Sequence, residues 1–107
     1  MKDFDKIIWR NALTFVDFFA VWCGTCRAMT PVIDRFQKQM NGRADVYRMD
    51  IEDPDLLEIV RRYNIVSVPT LMFFRRGEVL WRESGQVDYE HLVNVLNELE
   101  KHEHVLL

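Results

Sequence analysis

A mixed α/β sandwich with the element order αβαβαββα is predicted by three features of the sequence. Two β-branched and aromatic runs, LTFVDFFA (13–20) and ADVYRMDI (44–51), are separated by a stretch of helical length. Two shorter runs, TLMFF (70–74) and EVLWRE (78–83), flank Arg75-Arg76-Gly77, a hairpin signal. Near the C-terminus Leu92, Val95, Leu96 and Leu99 follow the i, i+3, i+4, i+7 pattern of an amphipathic helix.

The chain opens with Phe4, Ile7, Ile8 and Ala12 spaced for one face of a short helix. The run 13–20 is apolar except at Thr14 and Asp17, so it reads as a strand covered on both faces. A long helix is predicted from about Gly24 to Met40, stopped by Asn41-Gly42 and kinked at Pro31. The second strand covers 44–51. Asp53-Pro54 then sets an N-cap before a proline at the first helical position. Leu56, Leu57 and Val60 supply the apolar face of that helix, and Arg61-Arg62 suit its C-terminal dipole. Asp88 caps the last helix. The strand–helix–strand portion implies a right-handed parallel crossover, and the hairpin adds an antiparallel pair to the same sheet.

At 107 residues, 49% hydrophobic and 29% charged, the chain is expected to form one domain over 1–107 with a core that needs no staple. The net charge of −3 comes from interspersed acids and bases, and without a basic stripe nucleic acid is not an expected partner. No apolar run reaches the roughly 18–20 residues that span a bilayer. The N-terminus MKDFDKIIWR carries acids and lacks the apolar core of a signal peptide. Two cysteines in a chain beginning at Met1 point to the reducing cytoplasm.

Both cysteines lie in VWCGTC (21–26). As a staple, a Cys23–Cys26 bridge closes a four-residue loop worth only about 2 kcal/mol. As half of a zinc site, the pair would need imidazole partners. Only His91, His102 and His104 remain, none near the pair in sequence. No metal is therefore expected. As a working dithiol the spacing is apt. A C-x-x-C pair opening a helix sets its first sulfur over free backbone N–H groups at the positive end of the dipole, which favours the Cys23 thiolate. Cys26, one turn later, faces inward and can resolve a mixed disulfide made by Cys23.

Asp17 is an acid amid Phe15, Val16, Phe18 and Phe19. It reads either as a satisfied strand-end carboxylate or as a desolvated proton acceptor for Cys26 beneath the helix start. Trp22 reads as core or as a wall of the site. For Val68-Pro69 the sequence alone does not decide between cis and trans.

VDFFAVWCGTC followed by Pro31, then NIVSVPTLMFFRRGEVL, then Gly85, resembles the thioredoxin family from about Thr14 to the last helix. The resemblance implies the thioredoxin fold and reduction of protein disulfides, with Cys23 attacking and Cys26 resolving. It implies a buried Asp17 relaying a proton to Cys26, with Arg48 as the basic residue near that acid. It also implies a cis Val68-Pro69 bond packed on the cysteines, with the Val68 backbone pairing to an extended substrate. Trp22, Gly24, Thr25, Val68, Pro69 and Gly85 would form the docking surface. No bound cofactor is implied. The expected partners are disulfide-containing proteins and a thioredoxin reductase, a flavoenzyme that alone uses NADPH, and the chain is expected to be a monomer.

Several positions depart from the family pattern. Thr25 stands where proline is usual, and its amide and hydroxyl near Cys23 would stabilise a thiolate and raise the reduction potential. Phe19 replaces a second tryptophan, and Val21 a residue that is commonly polar. The first family strand is missing, so four strands in the order 2-1-3-4 are predicted, the third antiparallel to its neighbours. The alternatives to a cytoplasmic reductant are an oxidant or isomerase of envelope proteins and an inert adaptor on the same fold. An adaptor needs neither cysteine, nor Asp17, nor Pro69.

Overall fold

In a computed structural model the backbone of residues 2–105 and the side chains of 3–102 are described. Helix α1 (Lys2–Ile8) buries Phe4 and Ile8, one turn apart. Ala12 lies beyond it, in the loop to β1 (Thr14–Phe19), and not on its apolar face. The end of α1 and the turn after it are tied to the distant Arg76-Gly77 turn: Gly77 N–H donates to Ile8 O at 2.8 Å and Arg76 N–H to Arg10 O at 3.0 Å.

Strand β1 runs into helix α2 (Gly24–Gln39), whose turns continue through Pro31, and then β2 (Asp45–Asp50). Asp53 Oδ1 accepts from Asp55 N–H at 3.0 Å, capping a 3₁₀ turn (Pro54–Leu56) that leads into α3 (Leu57–Arg62). That tighter start changes the helical phase. Leu56 and Ile59 are buried, whereas Leu57, predicted on the apolar face, is 49% exposed. Strands β3 (Thr70–Arg75) and β4 (Glu78–Ser84) form the hairpin, and α4 (Tyr89–Val105) closes the order.

The sheet order is β2-β1-β3-β4. β1 pairs with β2 in parallel and β3 runs antiparallel to both β1 and β4, as predicted. Alternation along β1 sends Phe15 to the α2/α4 side, where it packs with Met29, Phe36, Phe73 and Leu96, and sends Val16 and Phe18 to the α1/α3 side with Phe4, Ile59 and Phe74. Asp17 therefore shares the face of Phe15, beneath α2. Edge strand β4 carries Glu78, Arg82 and Glu83, charges that discourage a further strand from pairing there.

Arg76 and Gly77 both have positive φ, 52° and 78°, the requirement of a two-residue turn that matches strand twist. A Cβ on Gly77 would overlap the Trp9 ring. Gly77→Ala is accordingly expected to destabilise the chain by at least about 1 kcal/mol. The check is a urea midpoint that falls at constant m-value; an unchanged midpoint would show that Trp9 gives way freely.

Candidate active site

The apolar β1 drives the chain to the top of the sheet, where Cys23 N–H donates to Ala20 O at 3.2 Å and turns it into α2. Cys23 is the N-cap, with φ −84° and ψ 113°, and its Sγ accepts from Cys26 N–H at 3.1 Å. A sulfur thus occupies the place usually taken by a Ser or Asp oxygen, at the positive end of a 16-residue helix. Cys26, Met29, Ile33 and Phe36 form the buried stripe of α2, so Cys26 faces the sheet. The two cysteines form a disulfide with Cα atoms 5.2 Å apart, inside the usual range. Cys23 is 6% exposed and Cys26 1%, so Cys23 is the sulfur closer to solvent.

Asp17 is fully buried, on the sheet face toward which Cys26 points. Its Oδ2 accepts from Arg48 Nε at 3.3 Å, and its Oδ1 has no hydrogen-bond partner among the described residues. Arg48 is the register partner of Asp17 on β2, which explains how it reaches the acid. It also donates to Thr30 Oγ1 at 3.3 Å and lies over the Phe19 ring at 4.9 Å, a partly exposed cation between α2 and solvent. Burial pushes the Asp17 carboxyl above its ordinary value, and the nearby Arg48 charge and hydrogen bond offset only part of that.

Pro69 follows a cis bond, and Val68 packs against Ala20, Cys23 and Cys26. The Val68 carbonyl oxygen lies 3.7 Å from Cys23 Sγ. Among the described residues, neither the Val68 N–H nor its carbonyl has a backbone partner. Gly85, at φ +96°, donates its N–H to Pro69 O at 2.9 Å, so the turn after β4 is tied to this loop. Trp22 is 64% exposed and so is not core; Gly24 and Thr25 are exposed beside it.

Among the described residues no cluster of His, Cys, Asp or Glu could hold a metal ion. His91 Nε2 instead meets Glu83 at 2.9 Å, and His104 lies outside the described side chains.

The thioredoxin family model matches residues 1–98. A thioredoxin from Staphylococcus epidermidis is 32% identical over 96 residues, covering 90% of this chain and 89% of that one. A thioredoxin from Staphylococcus aureus is 30% identical over 95 residues, covering 89% and 88%. The chain belongs to the thioredoxin family. The crystal structure of a Malassezia sympodialis thioredoxin superposes with a TM-score of 0.80 over 91% of this chain and 83% of that one, at 22% identity, and carries the fold alone.

As a thioredoxin-family protein with a Cys23–Cys26 pair, the chain is a thiol–disulfide oxidoreductase, acting on disulfide substrates and served in general by a reductase. No helix among the described residues is long and apolar enough to cross a membrane. In this disulfide form the hydrogen bond that Cys23 Sγ accepts comes from the Cys26 amide. Thr25 itself is exposed.

Three neighbours of the disulfide went unassigned in the sequence reading. Arg27 Nη1 donates to Val21 O at 2.9 Å and braces the backbone entering Trp22. Val21 and Val66 are 65% and 81% exposed. Arg27 sits four residues after Cys23, a spacing that looks the same for any solvated helix face. A valine in an apolar sequence run ordinarily signals core.

Proposed function

We propose that residues 1–107 work as one domain that reduces disulfides in protein substrates. Cys23 thiolate attacks one substrate sulfur; the substrate S–S bond breaks, and the departing thiolate takes a proton from water. The product is a mixed disulfide between Cys23 and the substrate. Cys26 then gives its proton to Asp17 and attacks Cys23 Sγ, expelling the second substrate thiolate. Two electrons pass from the dithiol to the substrate, and the chain is left as the Cys23–Cys26 disulfide. A flavin reductase drawing on NADPH restores the dithiol, the chain itself binding no cofactor.

The observation that carries this reading is the seat of Cys23. Its sulfur is held at the α2 N-terminus by the Cys26 amide, with Cys26 behind it and the Val68 carbonyl oxygen 3.7 Å away. An extended substrate pairing with Val68 would bring its disulfide over Cys23, the main-chain recognition mode of an added strand. Trp22, Gly24, Thr25, Pro69 and Gly85 complete the docking surface around that strand. The proposed setting is the cytoplasm and the proposed state a monomer.

The test is reduction of insulin with dithiothreitol as electron donor. The chain is expected to accelerate reduction well above the rate with dithiothreitol alone. A chain that adds nothing to that rate would be an adaptor carrying an idle disulfide.

A further inference from the structure

Two valines beside the redox pair stand out because nothing in the fold requires them to be apolar. Val21 precedes Trp22 and lies two residues before Cys23; Val66 lies two residues before Val68. A two-residue separation keeps Cα atoms within about 7 Å, so each valine borders a residue that touches the disulfide. Their exposures, 65% and 81%, join the 64% of Trp22. These are three of the six large exposed hydrophobics among the described residues, gathered at one end of the sheet.

Both valines are also held in place. The Arg27 guanidinium fixes the Val21 carbonyl at 2.9 Å. The segment before Val66 is braced by Arg82, which donates to the Tyr63 and Asn64 carbonyls, and by Ile65 N–H on Val60 O at 2.9 Å. After it, Thr70 Oγ1 donates to Ser67 O at 2.7 Å. Exposed apolar side chains on a braced backbone lose little freedom when covered, which is the condition for a specific contact.

We propose that Val21 and Val66 are specificity-determining residues, selecting substrate segments that carry bulky apolar side chains next to the reactive cysteine. The inference rests on the reading of Cys23 and Val68 above, and the rim is continuous with that docking surface. The occupant is an extended polypeptide, because the Val68 N–H and carbonyl, which have no backbone partner among the described residues, offer main-chain pairing beside Cys23. Apolar neighbours of the substrate cysteine would cover the valines and remove apolar surface from water.

The experiment uses the reduced chain and two peptide disulfides of equal length and charge, one with Leu and one with Ser beside the cysteine. Hydroxyethyl disulfide, which has no side chains to place, reports the bare exchange chemistry. The wild-type chain is expected to favour the Leu peptide by about tenfold in kcat/KM, the scale of discrimination by small apolar contacts. Val21→Glu and Val66→Asn, both at exposed positions, should each remove most of that preference while the hydroxyethyl disulfide rate holds. Equal rates for the two peptides, or variants that slow both peptides alike, would overturn the proposal. So would a wild-type dimer that either variant makes monomeric, since a second copy would then be the occupant. Failure to reduce hydroxyethyl disulfide would instead bring down the underlying redox reading, and this inference with it.

Discussion

Cys26→Ser is expected to stop turnover at the first covalent step and accumulate a mixed disulfide between Cys23 and the substrate. Cys23→Ser should form no such adduct and lose activity altogether. The assignment follows from position: Cys23 caps α2 and is the more exposed sulfur, while Cys26 lies on the buried stripe with Met29, Ile33 and Phe36. A thiolate at an N-cap is stabilised by the helix amides and can meet an incoming disulfide. A buried thiol can only act on a sulfur already delivered to it. Non-reducing electrophoresis after mixing each variant with an oxidised protein reads the result directly. Adduct from Cys23→Ser and none from Cys26→Ser would reverse the two roles.

Asp17→Asn is expected to flatten the pH dependence of stability, raise stability at neutral pH and slow disulfide exchange. The unfolded carboxyl titrates near 3.8, and burial lifts the folded one above that, with Arg48 opposing. Between the two values the folded chain holds more protons than the unfolded chain. The stability that Asp17 contributes is therefore greatest below about pH 4, falls as pH rises to its folded pKa, and is level beyond it. Each pH unit of that window is worth about 1.4 kcal/mol. The amide of Asn stays neutral throughout, so the Asp17 part of the slope should vanish. Exchange should slow by about 10²-fold, the low end for a positioned proton acceptor. Urea titrations from pH 4 to 9, paired with rates of mixed-disulfide resolution, check both effects. A variant with the wild-type slope and rate would contradict the role given to Asp17.

The run 13–20 is so apolar that its strand, its two covered faces and the anomaly of Asp17 are all legible together. The register that sets Arg48 beside Asp17 follows from parallel pairing, which the long helix between the strands makes necessary. The phase of α3 was not legible, because the 3₁₀ turn at Pro54–Leu56 advances by three residues per turn and rotates Leu57 outward. The end of α1 was not legible either, since it is tied to hairpin amides some 70 residues later in the chain, at Arg76 and Gly77. At the site, residue types announced the chemistry at Cys23, Cys26 and Pro69. The exposure of Val21 and Val66 depends on loop geometry that composition does not encode.

The central claim is that the Cys23–Cys26 couple is poised as a reductant. Its equilibrium potential in glutathione buffers tests that most directly, with the reduced and oxidised fractions quantified by thiol alkylation. A potential more negative than about −230 mV, below the range of glutaredoxins, is the predicted result. A value between about −180 and −120 mV, the span from a disulfide isomerase to a strong oxidant, would contradict it and make the chain an oxidant or isomerase.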